Sequence, residues 1–177
     1  MLRSNADAGR IAGMDNAIAA LFLEYSSKKL EQGNKDLKAC LTKLSDAQVW
    51  ERHGAHENAV GNLVLHLCGN MRQWIMHGVG GANDVRVRDA EFSAVDGWNA
   101  AKLMELFETT AREARRVIES LPAERLVDRT TPQNREVSVL EAIYQVVTHI
   151  QQHLGQVIIL TKQMTGKDLD LTMPHPR

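Results

Sequence analysis

The sequence predicts an all-α protein, an antiparallel four-helix bundle with long connections between its helices. Aromatic residues make up only 5 % of the chain and hydrophobic residues 44 %, which favours packed helices because sheets prefer β-branched and aromatic side chains. Four long segments repeat apolar residues at three- and four-residue steps, a spacing typical of amphipathic helices. The 177 residues are expected to form one domain, 1–177, with its core from about residue 15 to residue 171.

The first two helices precede a long connection. The first is predicted over about residues 15–44 and the second over about residues 57–77, where a cluster of glycines ends it. Residues 78–98 then form a connection of a length that is often functional. Because this connection joins two helices that could otherwise pair directly, we expect it to cross one end of the bundle.

The last two helices flank a second connection. The third helix is predicted over about residues 100–121, and the fourth over about residues 139–165. Ser138 and Glu141 fit a capping box at the start of the fourth helix. Residues 124–139 have strand-like alternation near their end but are too short to build a sheet, so an extended or hairpin-like crossover is expected.

Charge and hydropathy argue against several classes of function. The net charge is −1 and the lysines and arginines are scattered, whereas nucleic-acid-binding proteins carry a basic face. No apolar run approaches the roughly 20 residues that cross a bilayer, and the N-terminus has no apolar core of a signal peptide. We therefore expect a cytoplasmic protein that binds neither nucleic acid nor membrane. Cys40 and Cys68 are expected to be reduced and buried.

Three histidines are the main candidates for metal ligands in the sequence. His149 and His153 lie four residues apart in the fourth helix, so they share a face and their imidazoles can converge on one ion. This spacing alone is weak evidence, because paired helical histidines are more often structural or exposed. His66 lies midway along the second amphipathic helix, where its alternative is a core histidine that donates to a carbonyl. A shared divalent metal explains the three histidines together.

Three protein ligands would leave at least one coordination position open, which is usual for catalytic sites and unusual for structural zinc sites. A bound ion could lower the pKa of a water molecule or of a substrate thiol, and the sequence does not choose between them. Nor does it choose the metal, because three imidazoles suit zinc, nickel, iron or copper.

Other side chains near the predicted ligands are candidates for supporting roles. Three polar side chains lie about one helical turn from a ligand and could orient an imidazole or hold a bound water molecule, although ordinary hydrogen bonding is the alternative. Gly69 and Gly155 are expected to let helices approach closely. The three polar candidates are Asn70, Gln145 and Gln156.

Two arginines in the first connection are candidates for substrate binding. Arg86 and Arg88 could bind an anionic substrate or the carboxylate of a thiol. The alternative, which we favour, is surface ion pairing with Asp84, Asp89 or Glu91. The remaining histidines are expected in a polar loop, at a helix end and in the C-terminal tail, and they are His53, His56, His77 and His175.

At these residues the sequence resembles the DinB-like superfamily. The second helix carries a His-Leu-x-Gly-Asn-x-x-Gln-Trp pattern at residues 66–74, and the fourth carries His-x-x-x-His-x-Gly-Gln at residues 149–156. Residues 84–92 of the first connection are also similar. The match runs from about residue 17 to residue 171, and its short motifs occur in the order and separation typical of the group.

The resemblance implies an up-down-down-up bundle, often dimeric, with a three-histidine site for a divalent ion such as nickel, zinc or iron. The ligands of the family fall on His66, His149 and His153. Better-known relatives are thiol-dependent enzymes, including mycothiol-dependent maleylpyruvate isomerase and bacillithiol transferases.

The function that follows is an expectation about a small-molecule substrate. We expect a homodimeric, metal-dependent enzyme that activates a thiol, such as a low-molecular-weight thiol, or water for transfer, isomerisation or hydrolysis. The alternative is a bundle that binds a metal or small ligand without turnover. A third hypothesis is a structural dimer whose histidines form a hydrogen-bonded core network.

Overall fold

Four long helices carry the fold of the described residues. The computed structural model describes residues 5–52, 54 and 56–171, with the side chains of 5–13 and 15 left aside. The two shorter helices, α2 (Asp46–Val49) and α4 (Arg88–Ser93), lie in connections. The all-α prediction is therefore confirmed. The long helices are α1 (Asn5–Leu41), α3 (Val60–Met71, continued by a π-helical turn over Arg72–His77), α5 (Ala100–Glu119) and α6 (Val139–Thr165).

Contacts along the helices give their directions. Ser27 of α1 contacts Glu119 of α5, and the later Glu31 contacts the earlier Arg115, so α1 and α5 are antiparallel. α1 runs parallel to α6, and α3 runs parallel to α5, which makes α3 antiparallel to α6. This is the up-down-down-up order that the resemblance implies. The parallel pairs are established by the contacts Gly33–Ile150 and Lys43–Asp168, and by Cys68–Thr110 and Gly80–Val117.

The core lies between the four helices and is mainly aliphatic. Cys40 and Cys68 are both buried and unbridged, as expected. Not every periodic apolar residue of α1 faces inward, because its N-terminal half carries a stripe of side chains that are between 58 % and 64 % exposed. This stripe consists of Met14, Ile18, Leu21 and Tyr25.

Two helices, α1 and α3, have boundaries that differ from the sequence prediction by three residues or more. α1 begins at Asn5 rather than near residue 15, and it ends at Leu41. It ends there because the carbonyls of Cys40 and Leu41 accept hydrogen bonds from residues only three positions on, in a tighter turn. α3 begins at Val60 rather than near residue 57, where the Asn62 side chain accepts from the backbone nitrogen of Ala59.

The two connections adopt different structures. Residues 78–98 do not cross an end of the bundle as expected, since their short helix α4 packs along the side of α3. In the second connection, β1 (Arg129–Thr130) and β2 (Val137–Ser138) pair antiparallel, which confirms the hairpin-like crossover. None of the helices in the described part of the chain is long and apolar enough to cross a membrane.

The capping box at the start of α6 gives a test of the fold. The Ser138 side chain accepts from the backbone nitrogen of Glu141, and the Glu141 carboxylate accepts from Ser138 in return. Ser138→Ala should lower the free energy of unfolding by about 1 kcal/mol, whereas Ser138→Thr should lose much less because it keeps the hydroxyl. Chemical denaturation measures both values, and equal losses in the two variants would contradict the cap.

Candidate metal centre

Three imidazoles from two helices meet at one point. The Nε2 atom of His149 lies 3.2 Å from Nε2 of His66 and 3.0 Å from Nε2 of His153. The ligand atoms of all three residues lie within 4.8 Å of one another. Metal–nitrogen distances of about 2.0–2.1 Å and angles between 90° and 110° would place ligand nitrogens roughly 2.9–3.4 Å apart. The two short spacings, from His149 to His66 and to His153, therefore fit a shared divalent ion.

Hydrogen bonds on the far side of two rings fix where their protons lie. Nδ1 of His66 is 2.9 Å from Oε2 of Glu91, and Nδ1 of His153 is 2.6 Å from Oε1 of Gln156. Both oxygens are acceptors, so each Nδ1 carries the proton and donates it. Nη2 of Arg86 also lies 3.1 Å from Nδ1 of His66, but this nitrogen donates to Oε2 of Glu91 at the shorter distance of 2.8 Å. The Nε2 atoms of His66 and His153 therefore present lone pairs to the centre of the cluster.

The third imidazole is that of His149, and neither position of its proton satisfies all of the neighbouring atoms. If His149 carries the proton on Nε2, it can donate well to only one of the two facing lone pairs, and its Nδ1 stays unsatisfied. Nδ1 is buried and has no hydrogen-bond partner among the described residues. If the proton is on Nδ1, three lone pairs face one another. A cation at the centre removes this conflict, because it accepts all three lone pairs.

The local electrostatics favour the neutral, metal-binding form of His149 and His153. Burial lowers the pKa of His149 to about 4, and the neighbouring His153 and His66 add to the effect. Burial also lowers the pKa of His153, and His66 contributes, although the hydrogen bond to Gln156 opposes them. Neutral imidazoles are the form that coordinates a metal.

A buried ion pair supports His66 from behind. Arg86 donates from Nε to Oε1 of Glu91 at 2.7 Å and from Nη2 to Oε2 at 2.8 Å. Burial raises the pKa of Glu91, but hydrogen bonds from Arg86 and His66 outweigh it and hold the pKa below its usual value. The glutamate is therefore a carboxylate that accepts from both residues.

This ion pair decides between the two interpretations of Arg86. Its side chain is only 2 % exposed, and its Nη1 donates to Gln73 at 3.0 Å. Arg86 thus pairs with Glu91, one of the partners considered from the sequence, but it does so in the interior rather than at the surface. Its guanidinium is thus engaged by Glu91 and Gln73.

The two glycines expected to serve close helix packing differ in their surroundings. A Cβ on Gly69 would lie 1.8 Å from Oε1 of Glu91, so only glycine leaves room for that carboxylate. The neighbour of Gly69 is thus a side chain of the short helix α4 in the first connection, so the close helix approach at this glycine is that of α4 to α3. A Cβ on Gly155 would meet nothing within 4 Å, so the expectation for this glycine was wrong.

The other candidate residues differ in whether they contact the three histidines. Gln156 contacts His153 as the helical spacing predicts. Asn70 is buried, and its Oδ1 has no partner among the described residues. Gln145 is exposed, and no hydrogen bond joins its side chain to a described histidine. His56 is also exposed and His77 bonds the carbonyl of Ala82, while His53 and His175 lie outside the described residues.

Arg88 is placed differently from Arg86. Its guanidinium lies 4.9 Å from the ring centre of Phe92, and the Phe92 ring centre is 4.7 Å from that of His66. Arg88 is exposed, and its positive charge is among the causes that lower the pKa of His149. It is therefore a solvent-accessible cation beside the cluster.

Sequence reasoning missed Glu91 as the partner of His66. Helical spacing can identify partners only within one helix, and Glu91 comes from α4, in a different segment of the chain. The signal that the sequence offers is indirect: Gly69 is three residues after His66 and so lies on the same side of α3. A glycine there leaves space that a neighbouring segment can fill.

The comparisons with known proteins support the fold. The chain is similar to a conserved protein of Enterococcus faecalis (TM-score 0.67, 14 % identity, covering 81 % of this chain and 97 % of that chain). It is also similar to the DinB-like protein YjoA of Bacillus subtilis (TM-score 0.63, 15 % identity, covering 81 % of this chain and 93 % of that chain). A DinB-like protein of Bacillus cereus is similar as well (TM-score 0.64, 16 % identity, covering 88 % of this chain and 95 % of that chain). At these identities the likeness establishes a DinB-like fold.

The sequence comparisons place the chain in a family. A search of curated proteins found no match. The sequence profile described as "Protein of unknown function (DUF1572)" matches residues 17–177, most of the chain. With the fold and the match in agreement, the chain belongs to the DUF1572 family and has the DinB-like fold.

Proposed function

We propose that this protein is a divalent-metal-dependent enzyme whose ion is held by Nε2 of His66, His149 and His153. The observation that supports this most strongly is the convergence of the three Nε2 atoms, two of which must present lone pairs because their Nδ1 protons are donated elsewhere. Nickel, zinc and iron are the candidate metals, since all three accept imidazole ligands.

The surrounding residues have separate roles in this proposal. Three protein ligands leave coordination positions open, as in catalytic sites, and a bound divalent ion would supply Lewis acidity that lowers the pKa of a thiol or of water. Gln156 holds His153 in its metal-binding tautomer. Phe92 packs on the His66 ring and shields that side of the cluster from water.

Arg88 supports a particular class of small-molecule substrate. A guanidinium that is exposed and stacked on an aromatic ring is well suited to bind a carboxylate. A low-molecular-weight thiol that carries a carboxylate could place its sulfur at the cluster and its charge at Arg88. The reaction would then be a transfer, isomerisation or hydrolysis of a small molecule.

The alternative is a bundle that binds a metal or a small ligand without turnover. One observation favours it: the carboxylate in contact with the cluster, Glu91, is already engaged by Arg86 and His66. Glu91 is therefore a poor general base in this geometry. Turnover would require the proton to move through the substrate or solvent.

Metal binding by the purified protein is the first prediction. Wild type should contain close to one equivalent of a divalent metal and bind Zn²⁺ or Ni²⁺ after chelation. His149→Ala should weaken that binding by at least about 100-fold, since loss of a residue that merely supports a ligand costs about 10–100-fold. His56→Ala, which changes an exposed histidine, should bind like wild type. Elemental analysis and calorimetric titration measure these values.

The outcomes separate the hypotheses. A wild-type protein that neither contains nor binds a metal would leave the histidines as a hydrogen-bonded network and would end the proposal. A metal-loaded protein that turns over thiol-transfer or hydrolase substrates supports the enzyme. A metal-loaded protein that is inactive across both panels supports the binding bundle instead.

The second prediction concerns the pH dependence of stability without metal. The pKa of His149 is about 4 in the folded protein and about 6.5 in the unfolded chain. Between these values the unfolded state binds more protons, so stability should fall as the pH decreases from about 6.5 to about 4. Melting temperatures in chelator should fall more steeply for wild type than for His149→Gln, with His56→Gln as control. Parallel curves for wild type and His149→Gln would contradict the buried neutral imidazole.

We further propose that the partner of this chain is a second copy of itself. The exposed residues Met14, Ile18, Leu21 and Tyr25 have the alternating four- and three-residue spacing of a coiled-coil seam. The parallel neighbour α6 adds the exposed side chains of Leu140 and Tyr144. A twofold pairing of α1 with its copy would bury this stripe against an identical one.

Sedimentation velocity tests this interface. Wild type should sediment as a dimer and Leu21→Glu as a monomer, because the substitution places a charge in the apolar seam. Gln32→Glu changes an exposed polar residue of the same helix and should remain dimeric. A monomeric wild type, or a dimeric Leu21→Glu, would rule out self-association through this stripe.

A further inference from the structure

One side of α3 binds the segment from residue 84 to residue 94. Asn62 donates to the carbonyls of Glu91 at 2.9 Å and Ala94 at 2.8 Å. About three turns after Asn62, and beyond His66, Gln73 donates to Asp84 at 2.7 Å. Residues 62, 66, 69 and 73 recur at three- and four-residue steps, so they share one face of the helix. His66 lies in the middle of this docking surface.

Three side chains of the docked segment contact an imidazole of the cluster, that of His66. Oε2 of Glu91 lies 2.9 Å from Nδ1, Nη2 of Arg86 lies 3.1 Å from the same atom, and Phe92 packs against the ring. The carboxylate of Glu91 is gripped by Arg86 through two hydrogen bonds, and its Oε2 also accepts from Nδ1 of His66. The close approach is possible because residue 69 is glycine. Arg86 thus fixes the orientation in which the Glu91 carboxylate accepts the hydrogen bond from His66.

From this arrangement we infer that Glu91, held by Arg86, is a positioning residue for the metal ligand His66. It fixes the tautomer and ring orientation of His66, so that Nε2 points at the other two imidazoles. The inference rests on the proposed metal site. It also implies that metal binding and docking of residues 84–94 strengthen each other, because the two events share His66 and coupling between sites is reciprocal.

A role in holding the segment in place does not account for this ion pair. The backbone of residues 91–94 is already held by Asn62 and by Arg52, which donates to the carbonyls of Phe92 and Ala94. Burying two charges carries a desolvation cost that apolar side chains of similar size avoid. What the charged pair provides and apolar residues cannot is a fixed hydrogen-bond acceptor for His66.

The test uses a double variant because either single change leaves a buried charge without its partner. Arg86→Met with Glu91→Leu removes both charges, and such replacements are often neutral for stability. In chelator it should remain folded, with a melting temperature somewhat below that of wild type because Nδ1 of His66 loses its acceptor. Its affinity for Zn²⁺ or Ni²⁺ alone should be about 10–100-fold lower, as for other residues that support a metal ligand. The same replacement at the exposed pair Arg125–Asp128 should leave metal affinity unchanged.

Hydrogen exchange measures the coupling directly. In wild type, adding Zn²⁺ should slow exchange of the backbone amides within residues 84–94, and the double variant should lose this effect. Wild-type affinity in a folded double variant, or slowing of equal size in both proteins, would overturn the inference. If the double variant does not fold, Glu91→Gln with the same two readouts decides. Failure of wild type to bind any metal is a different result, since it would reject the metal site itself.

Discussion

The structure depends on one electrostatic constraint: Nε2 of His149 lies within about a hydrogen-bond length of Nε2 of both His66 and His153, and those two nitrogens have no proton to offer. Protein interiors rarely leave such lone pairs facing each other, because an unsatisfied buried polar atom is costly. Protonating the cluster is no remedy, since burial depresses the pKa of His149 and His153. A shared divalent cation satisfies all three nitrogens.

The bundle creates this constraint through the direction of its helices. The up-down-down-up order sets α3 antiparallel to α6, so one histidine of α3 faces two successive turns of α6. The connection after α3 then completes the surroundings, because α4 packs beside His66 and supplies both Glu91 and Phe92. The connection from residue 78 to residue 98 has 21 residues, which is long for a bundle. This length allows α4 to pack against the cluster.

The sequence predicts those features that depend on helical spacing. The pairing of His149 with His153, the contact of Gln156 with His153 and the capping box at Ser138 follow from separations of three or four residues within one helix. His66 is predicted from its place midway along another amphipathic helix and from the family resemblance. The sequence does not predict the features that depend on packing between segments. The partnership of Glu91 with His66, the course of residues 78–98 and the exposure of Leu21 require knowing which elements meet. Gly69 shows the difference, since its smallness is visible in the sequence and the carboxylate that needs it is not.

Anomalous diffraction from crystals grown with Zn²⁺ or Ni²⁺ tests the central claim most directly. The account predicts one strong peak, about 2.0–2.2 Å from Nε2 of each of His66, His149 and His153, with Glu91 still accepting from Nδ1 of His66. A peak bound through Nδ1, a peak that lacks one of the three histidines, or the absence of any peak at the cluster would contradict it.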